Sequence, residues 1–262
     1  MPTHRFTEIP ADALAVIETH TGPVRRTQPV PTGLNSEIAA RVHTATGTVF
    51  VKGLRLEHPR VWTQQREAAI APYVAPTAPA LLWHARGDGW DLLGFEDLAG
   101  PHADYAPGSP HLALVAEAMG TLAGLPLPGL PLRTMADRMR AYAGDDAALF
   151  HGDRLLHTDW NPHNVLIAGR ARIVDWAWAA QGAGWIDPAL WAIWLIACGH
   201  TPEGAERSAA GHAAFADAPA RGLDALARAQ HRLWDEIAGD SPNDWTARMR
   251  TAAAAWHRHR HG

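Results

Sequence analysis

Short apolar runs punctuated by proline and glycine fill the first part of the chain: Ile38–Val42, Thr48–Val51, Leu81–Trp83 and Trp90–Phe95. Runs of this length, rich in β-branched and aromatic residues and flanked by turn residues, predict strands of a mainly antiparallel sheet. Between them, Pro59–Tyr73 carries Trp62, Ala69 and Tyr73 at helical spacing. Pro59 suits a first helical turn, so a helix is expected there despite Pro72 near its end. Glu96-Asp97-Leu98-Ala99-Gly100 closes the strand-rich half, and Gly100-Pro101 is a breaker that marks a hinge. Beyond it the period changes to that of helices, over residues 111–123, 134–149, 188–199, 203–214, 218–238 and 244–258. One interruption, Val165–Ile167 followed by Arg172–Val174, predicts a two-stranded ribbon turning at Ala168-Gly169. The expected architecture is α+β and bilobal: a small β-rich lobe with one helix over residues 1–97, and a larger, mainly helical lobe over 98–262. Two such lobes would leave a cleft between them, where ligands usually bind.

Composition narrows the function without naming it. An apolar content of 47% with 12 tryptophans in 262 residues belongs to a folded globular chain. A formal charge of −4 excludes nucleic acid or an anionic membrane as a partner held by bulk electrostatics. Met1–Ile17 lacks an apolar stretch of the signal-peptide kind, and Ala189–Cys198 has about half the length of a membrane span. Cys198 is the single cysteine, which rules out an internal disulfide and fits a reducing compartment. It is expected to be an inert core thiol in a cytoplasmic protein. The closing His257-Arg258-His259-Arg260-His261 reads as a frayed basic tail.

The chemistry is concentrated in three places. Residues 157–164 read His157-Thr158-Asp159-Trp160-Asn161-Pro162-His163-Asn164, and Ile173-Val174-Asp175-Trp176 follows. Far upstream the strand Thr48-Val49-Phe50-Val51-Lys52 ends in the only lysine of the chain. In a sequence where arginine otherwise replaces lysine, a retained lysine points to a position that needs a compact ammonium. Phosphoryl transfer requires positioned reactants and neutralised phosphate charge. Asp159 would accept or orient the proton of an incoming hydroxyl. Asn164 and Asp175 offer the hard oxygens that magnesium prefers. Lys52 would fix the α and β phosphates, held extended by an opposite charge, for which Glu67 in the predicted helix is preferred over Glu57 in a turn. Two other readings compete. His157, Asp159 and His163 resemble ligands for a transition metal in a metal-dependent hydrolase, which leaves Lys52 and Asn164 without roles. A catalytically silent nucleotide-binding module is the third.

His157-x-Asp159 with Asn164 five residues later, then Ile-Val-Asp175-Trp, is similar to the catalytic pattern of the aminoglycoside phosphotransferase family, whose fold is protein-kinase-like. The lysine strand, the Glu67 helix, the hinge and Trp185-Ile186-Asp187-Pro188 occur in that family's order, over roughly residues 30–195. The resemblance implies ATP, or GTP, with Mg2+, and a small-molecule hydroxyl as acceptor. It implies adenine against backbone groups of Glu96, Asp97 and Leu98. It also implies a phosphate-covering turn at Thr32-Gly33-Leu34-Asn35-Ser36, where Gly33 allows close backbone approach. His157 would brace the catalytic loop, and Asp187 would support it from a helix start. The chain departs from the pattern in having one glycine in that turn, and Ala177 where relatives frequently carry an acid.

The acceptor is less legible. Aminoglycosides are polycations, yet residues 101–262 hold 17 Asp/Glu against 14 Arg, which gives no special support for a cationic acceptor. Six tryptophans lie close together in the helical half. Trp176, Trp191 and Trp194 are expected in the core, and Trp178 and Trp185 as walls of the acceptor pocket, where an indole can stack on a ring or hold an ammonium.

Overall fold

The structure, a computed structural model, describes residues 8–30 and 36–262. The chain forms two compact units, Met1–Pro101 with Arg172–Ala177, and His102–Ala171 with Trp178–Gly262. The change of unit thus falls at Pro101, where the sequence reading drew it after residue 97, and the chain returns to the first unit for the short segment that carries Asp175.

In the first unit α1 (Ala11–Thr21) is followed by β1 (Arg26–Pro29), β2 (Ile38–His43), β3 (Thr48–Arg55), α2 (Trp62–Val74), β4 (Leu81–Gly87) and β5 (Trp90–Glu96). The strands form one sheet in the order β1-β2-β3-β5-β4 with every neighbouring pair antiparallel. Side chains alternate between the faces of a strand. One face therefore gathers Ile38, Val42, Val51, Trp90 and Leu92, and Ala13, Val16 and Ile17 of α1 complete that core. Lys52 lies one residue out of phase with Val51, in register with Ala39 and Leu93, so it projects from the opposite face. At Gly94 an added Cβ would lie 2.1 Å from the Trp83 indole, so only glycine lets that ring cross β5.

Two elements of this unit escaped the sequence pattern, α1 and β1. The buried stripe of α1 is just Ala13, Val16 and Ile17, and β1 is largely exposed, so neither shows a marked period. The α2 helix is present, with Pro72 inside it, but its buried face is the reverse of the expected one. Trp62, Ala69 and Tyr73 are exposed, whereas Thr63, Gln64, Glu67, Ile70 and Val74 are buried. A face carrying a glutamate and a glutamine is buried only where partners await it, and Glu67 has one.

The second unit contains α3 (His111–Ala123), α4 (Met135–Ala143), β6 (Arg154–Leu156), β7 (Val165–Ala168), the start of β8 (Arg170–Ile173), β9 (Ala180–Gly182), α5 (Ile186–Ala197), α6 (Pro202–Ala209), α7 (Ala213–Ala216), α8 (Ala220–Ala238) and α9 (Asp244–His261). The expected 134–149 helix stops at Ala143 because Gly144 takes φ 59° and a 3-10 turn, Gly144–Phe150, follows. The expected 203–214 helix is two, α6 and α7, separated by a turn. Thr134 and Asn243 cap α4 and α9 by accepting the N–H of Asp137 (3.0 Å) and Thr246 (2.9 Å). Ten residues of α5 are buried, as befits a helix that is apolar all round.

The basic end of the chain is not frayed. It forms the last turns of α9, with Trp256 buried and its indole N–H donating to Glu206 (2.8 Å). Arg260 pairs with Asp224 (2.7 Å) and Glu206 (3.0 Å), which anchors the final turn to α8 and α6. Cys198 follows α5 half-buried rather than in the core, and burial pushes its thiol above the usual range. Among the described residues no helix is long and apolar enough to cross a membrane.

Candidate active site

Three segments distant in sequence meet in the first unit. Lys52 Nζ on β3 donates to Glu67 Oε2 on α2 at 2.7 Å and to Asp175 Oδ1 at 3.2 Å. The three side chains are 13%, 6% and 18% exposed, so this is an ion pair largely withdrawn from water. Burial works against the ammonium, but the charges of Asp175 and Glu67 outweigh it, and the pKa of Lys52 rises above the ordinary 10.5. Burial pushes the carboxyl of Glu67 up, Lys52 opposes this, and the charge of Asp175 adds to the rise. Asp175 sits at φ 63°, a left-handed conformation that few non-glycine residues adopt.

Of the expected phosphate-covering turn, Ser36 is buried. Gly33 and Asn35 lie outside the described residues. Glu96 ends β5 with its own N–H donated to Ala80 O (2.9 Å), while its carboxylate accepts from Ala80 N–H (3.2 Å) and faces Arg172 (3.5 Å). Asp97 accepts from Arg41 Nε (2.8 Å), and Leu98 is buried. The side chains of Glu96 and Asp97 are thus committed to structural partners. A contact to a nucleotide base would fall to the backbone of Asp97 and Leu98.

In the second unit β6, paired with β9, delivers the chain into the loop that starts at His157. Asp187, in the first turn of α5, accepts the backbone N–H of His157 at Oδ2 and of Thr158 at Oδ1, both at 2.9 Å. Its carboxylate is buried and pushed up by that burial, with the two N–H groups drawing it down. Thr158 takes φ 69°, costly for a β-branched residue. Besides Asp187, two further bonds hold it there: its hydroxyl donates to Trp178 O (3.0 Å) and accepts from Arg138 Nη1 (2.6 Å).

The fully buried His157 accepts the N–H of Asp159 at Nδ1 (3.3 Å), and Trp160 packs edge-on to its ring. Asn161 caps the 3-10 turn Pro162–Asn164 by accepting from His163 N–H (3.0 Å). Asn164 then returns its amide to Asp159, donating to the main-chain oxygen (3.1 Å) and to Oδ2 (2.9 Å). With its nitrogen so engaged, its side-chain oxygen is the atom suited to a cation. That oxygen and, in the first unit, the Asp175 carboxylate are each hard donors of the kind magnesium takes.

The competing transition-metal reading finds less support. His157 is buried in the bracing just described, whereas His163 is exposed and packs edge-on to His102. Among the described residues no three His, Cys, Asp or Glu side chains gather as a metal site.

Beside Asp159 the second unit encloses a cavity of about 190 Å³. Trp178 lines it, as expected of a pocket wall, but Trp185 does not. Trp185 is buried against Phe150 and Gly222; Trp194 is buried in the core as expected and also lines the cavity, with Trp234 and Trp245. Arg138 also lines it and was not foreseen, since one arginine among many carries no signal before its neighbours are known.

No protein-family model matches the chain, and no curated protein is similar to it in sequence. Solved structures are similar in fold. A thermostable mutant of the aminoglycoside phosphotransferase APH(4)-Ia superposes with a TM-score of 0.62 at 16% identity, over 94% of this chain and 98% of that one. The putative fructosamine-3-kinase of Haemophilus somnus gives 0.62 at 12% identity, over 93% and 96%. The choline kinase LicA of Streptococcus pneumoniae gives 0.60 at 11%, over 94% and 98%. Another APH(4)-Ia structure is a ternary complex with ADP and hygromycin B. The chain therefore has the fold of these small-molecule kinases, the α+β, protein-kinase-like class expected from its motifs.

Proposed function

We propose that the chain is an ATP-dependent phosphotransferase that moves the γ-phosphate to a hydroxyl of a small molecule with Mg2+. The observation that carries this reading is the buried Lys52–Glu67–Asp175 centre, built on the single lysine of the sequence. A lysine held charged and extended by two carboxylates is poised to grip phosphate oxygens, and a carboxylate already beside it suits a cation bound to them. Its occurrence in a kinase-like fold, with the braced Asp159–Asn164 loop in the second unit, supports the same chemistry.

Asp175 and Asn164 are the oxygen ligands we assign to Mg2+, which when bound offsets phosphate charge. Lys52 holds the α and β phosphates, and the backbone of Asp97 and Leu98 meets the base. Asp159 accepts the acceptor's hydroxyl proton as the oxygen bonds to the γ-phosphorus. The bond from that phosphorus to the bridging oxygen breaks, and ADP leaves with the electron pair. Asp187 and His157 position the loop without touching the reactants. A cytoplasmic setting, where nucleoside triphosphate is available, goes with this reading.

The test is calorimetric titration with ATP and with GTP, with and without magnesium, joined to ADP release in the presence of hydroxyl compounds. Magnesium-dependent nucleotide binding is expected, and in Asp175→Asn binding should lose its dependence on magnesium. Absence of any nucleotide binding by the wild-type protein would sink the proposal.

A further inference from the structure

The cavity beside Asp159 has an unusual lining for an acceptor site. Eleven of its fifteen lining residues are apolar, drawn from α4, α5, α8 and α9 together with Trp178. Arg138 and Asp159 are the only ionisable groups among them, so the lining carries one charge of each sign. Burial pulls the guanidinium of Arg138 below its usual value while the Asp159 carboxylate supports its charge. One wall is a block of three indoles, Trp194, Trp234 and Trp245, with ring centroids 5.3 to 6.4 Å apart. Trp178 is already engaged by the guanidinium of Arg138, 5.5 Å from its ring centroid. At the rim, Ile237 is 47% exposed and Trp245 is 39% exposed, large apolar surfaces left facing water. Deeper in, the buried Gln230 donates its amide to the Met139 sulfur at 3.9 Å, a weak acceptor. Such a donor gains by exchanging that partner for an oxygen.

From this we infer that the cavity binds an uncharged, predominantly hydrophobic alcohol, placing its hydroxyl at Asp159, and not a polyamine or amino sugar. Each cationic group brought into an apolar lining must be matched by a carboxylate or remain expensively desolvated. Asp159 is the single carboxylate here, and Arg138 repels a second cation. An apolar body, in contrast, gains in proportion to the surface it removes from water. Gln230 offers one hydrogen bond to orient an ether, ketone or second hydroxyl oxygen of the ligand. As an assignment of acceptor class, the inference rests on the phosphotransferase reading, but binding to the cavity does not require it.

The experiment separates the two. Binding of 2-naphthaleneethanol, 1-decanol and a polyaminated sugar is measured by tryptophan fluorescence and calorimetry without nucleotide, and ADP release is then followed with ATP and magnesium. At least one apolar alcohol should bind more tightly than the amino sugar. Ile237→Asp, at an exposed position that leaves folding intact, should weaken it about tenfold or more, and Leu233→Glu should do the same. Tighter binding of the amino sugar than of either alcohol would overturn the inference, as would alcohol binding indifferent to both substitutions. Cavity-dependent alcohol binding without ADP release supports the inference about the cavity and counts against phosphate transfer.

Discussion

The Lys52 centre of the first unit and the cavity of the second are assembled on opposite physical terms. The first concentrates charge: one ammonium and two carboxylates, all less than one-fifth exposed, each compensated by the others. The second dilutes charge to one acid and one base in a mostly aromatic and aliphatic wall. Buried charges tolerate no change of partner, since removing one leaves its neighbours uncompensated. Apolar walls tolerate changes of shape so long as volume and polarity are kept. On the proposed reading, the charged region would meet a nucleoside triphosphate, whose phosphates are common to ATP and GTP, and the apolar one an acceptor.

The same contrast explains what the sequence disclosed. A lysine within an apolar strand, or an acid between a histidine and a tryptophan, departs from its surroundings and is seen at once. The sequence pairs Lys52 with Glu67 and links Asp187 to the loop that it does hold, whereas the bond from Lys52 to Asp175, a residue expected to face magnesium, is not legible in it. The cavity had no such signature. Leu190, Ile193 and Trp194 look like any core positions of an apolar helix, and it is the placement of α8 and α9 that leaves space between them. The reversed face of α2 has the same root. Apolar periodicity pointed to Trp62 and Tyr73, because the pattern could not know that a polar face would be buried against Lys52. Local chemistry was readable, and enclosure by distant elements was not.

The largest effect expected from breaking either region is on turnover. Asp159→Asn keeps the shape of the loop, including a group able to meet the Asn164 amide, but removes the proton acceptor. Loss of a positioned acid–base group costs about 10² to 10⁴-fold in rate. The kcat should fall by that factor, while calorimetric affinity for magnesium nucleotide stays within about threefold. A variant that turns over at the wild-type rate would take Asp159 out of the reaction.

Next in size is stability. Lys52→Met should cost about 3–5 kcal/mol in denaturant unfolding, the usual penalty for orphaning a buried pair, because Glu67 and Asp175 are left without their cation. Adding Glu67→Met should restore part of that loss by removing one stranded charge, without restoring activity. By contrast, Leu233→Met in the cavity wall should change stability by less than about 1.5 kcal/mol. Equal costs in the two regions would erase the distinction between them.

The brace should yield a smaller loss. Asp187→Ala strands the N–H groups of His157 and Thr158, and a buried unsatisfied donor costs about 1–3 kcal/mol. The left-handed Thr158 also loses one of its restraints. Midpoint denaturant concentration should drop, and kcat should drop more than nucleotide affinity, since the affected loop carries Asp159 and not the Lys52 centre. An unchanged kcat in a folded Asp187→Ala protein would make the brace structural alone.

The finest probe uses the solitary lysine. With lysine labelled isotopically, the protein gives one side-chain ammonium signal, and its titration reports Lys52 alone. The folded pKa lies above 10.5, so the stabilisation from this pairing is fully present below that pH. It is lost as pH rises through the higher folded value, where the ammonium gives up its proton. The signal should therefore show no titration up to about pH 10.5, the reference value for lysine. In Glu67→Gln, one opposing charge remains, that of Asp175, and the midpoint should move down by about one to three units. In Asp159→Asn, which alters the second unit, it should not move. A lysine that titrates at its ordinary value in the wild-type protein would mean that solvent, and not two carboxylates, sets its charge. The contrast between a charge-built and an apolar-built region would then lose its first member.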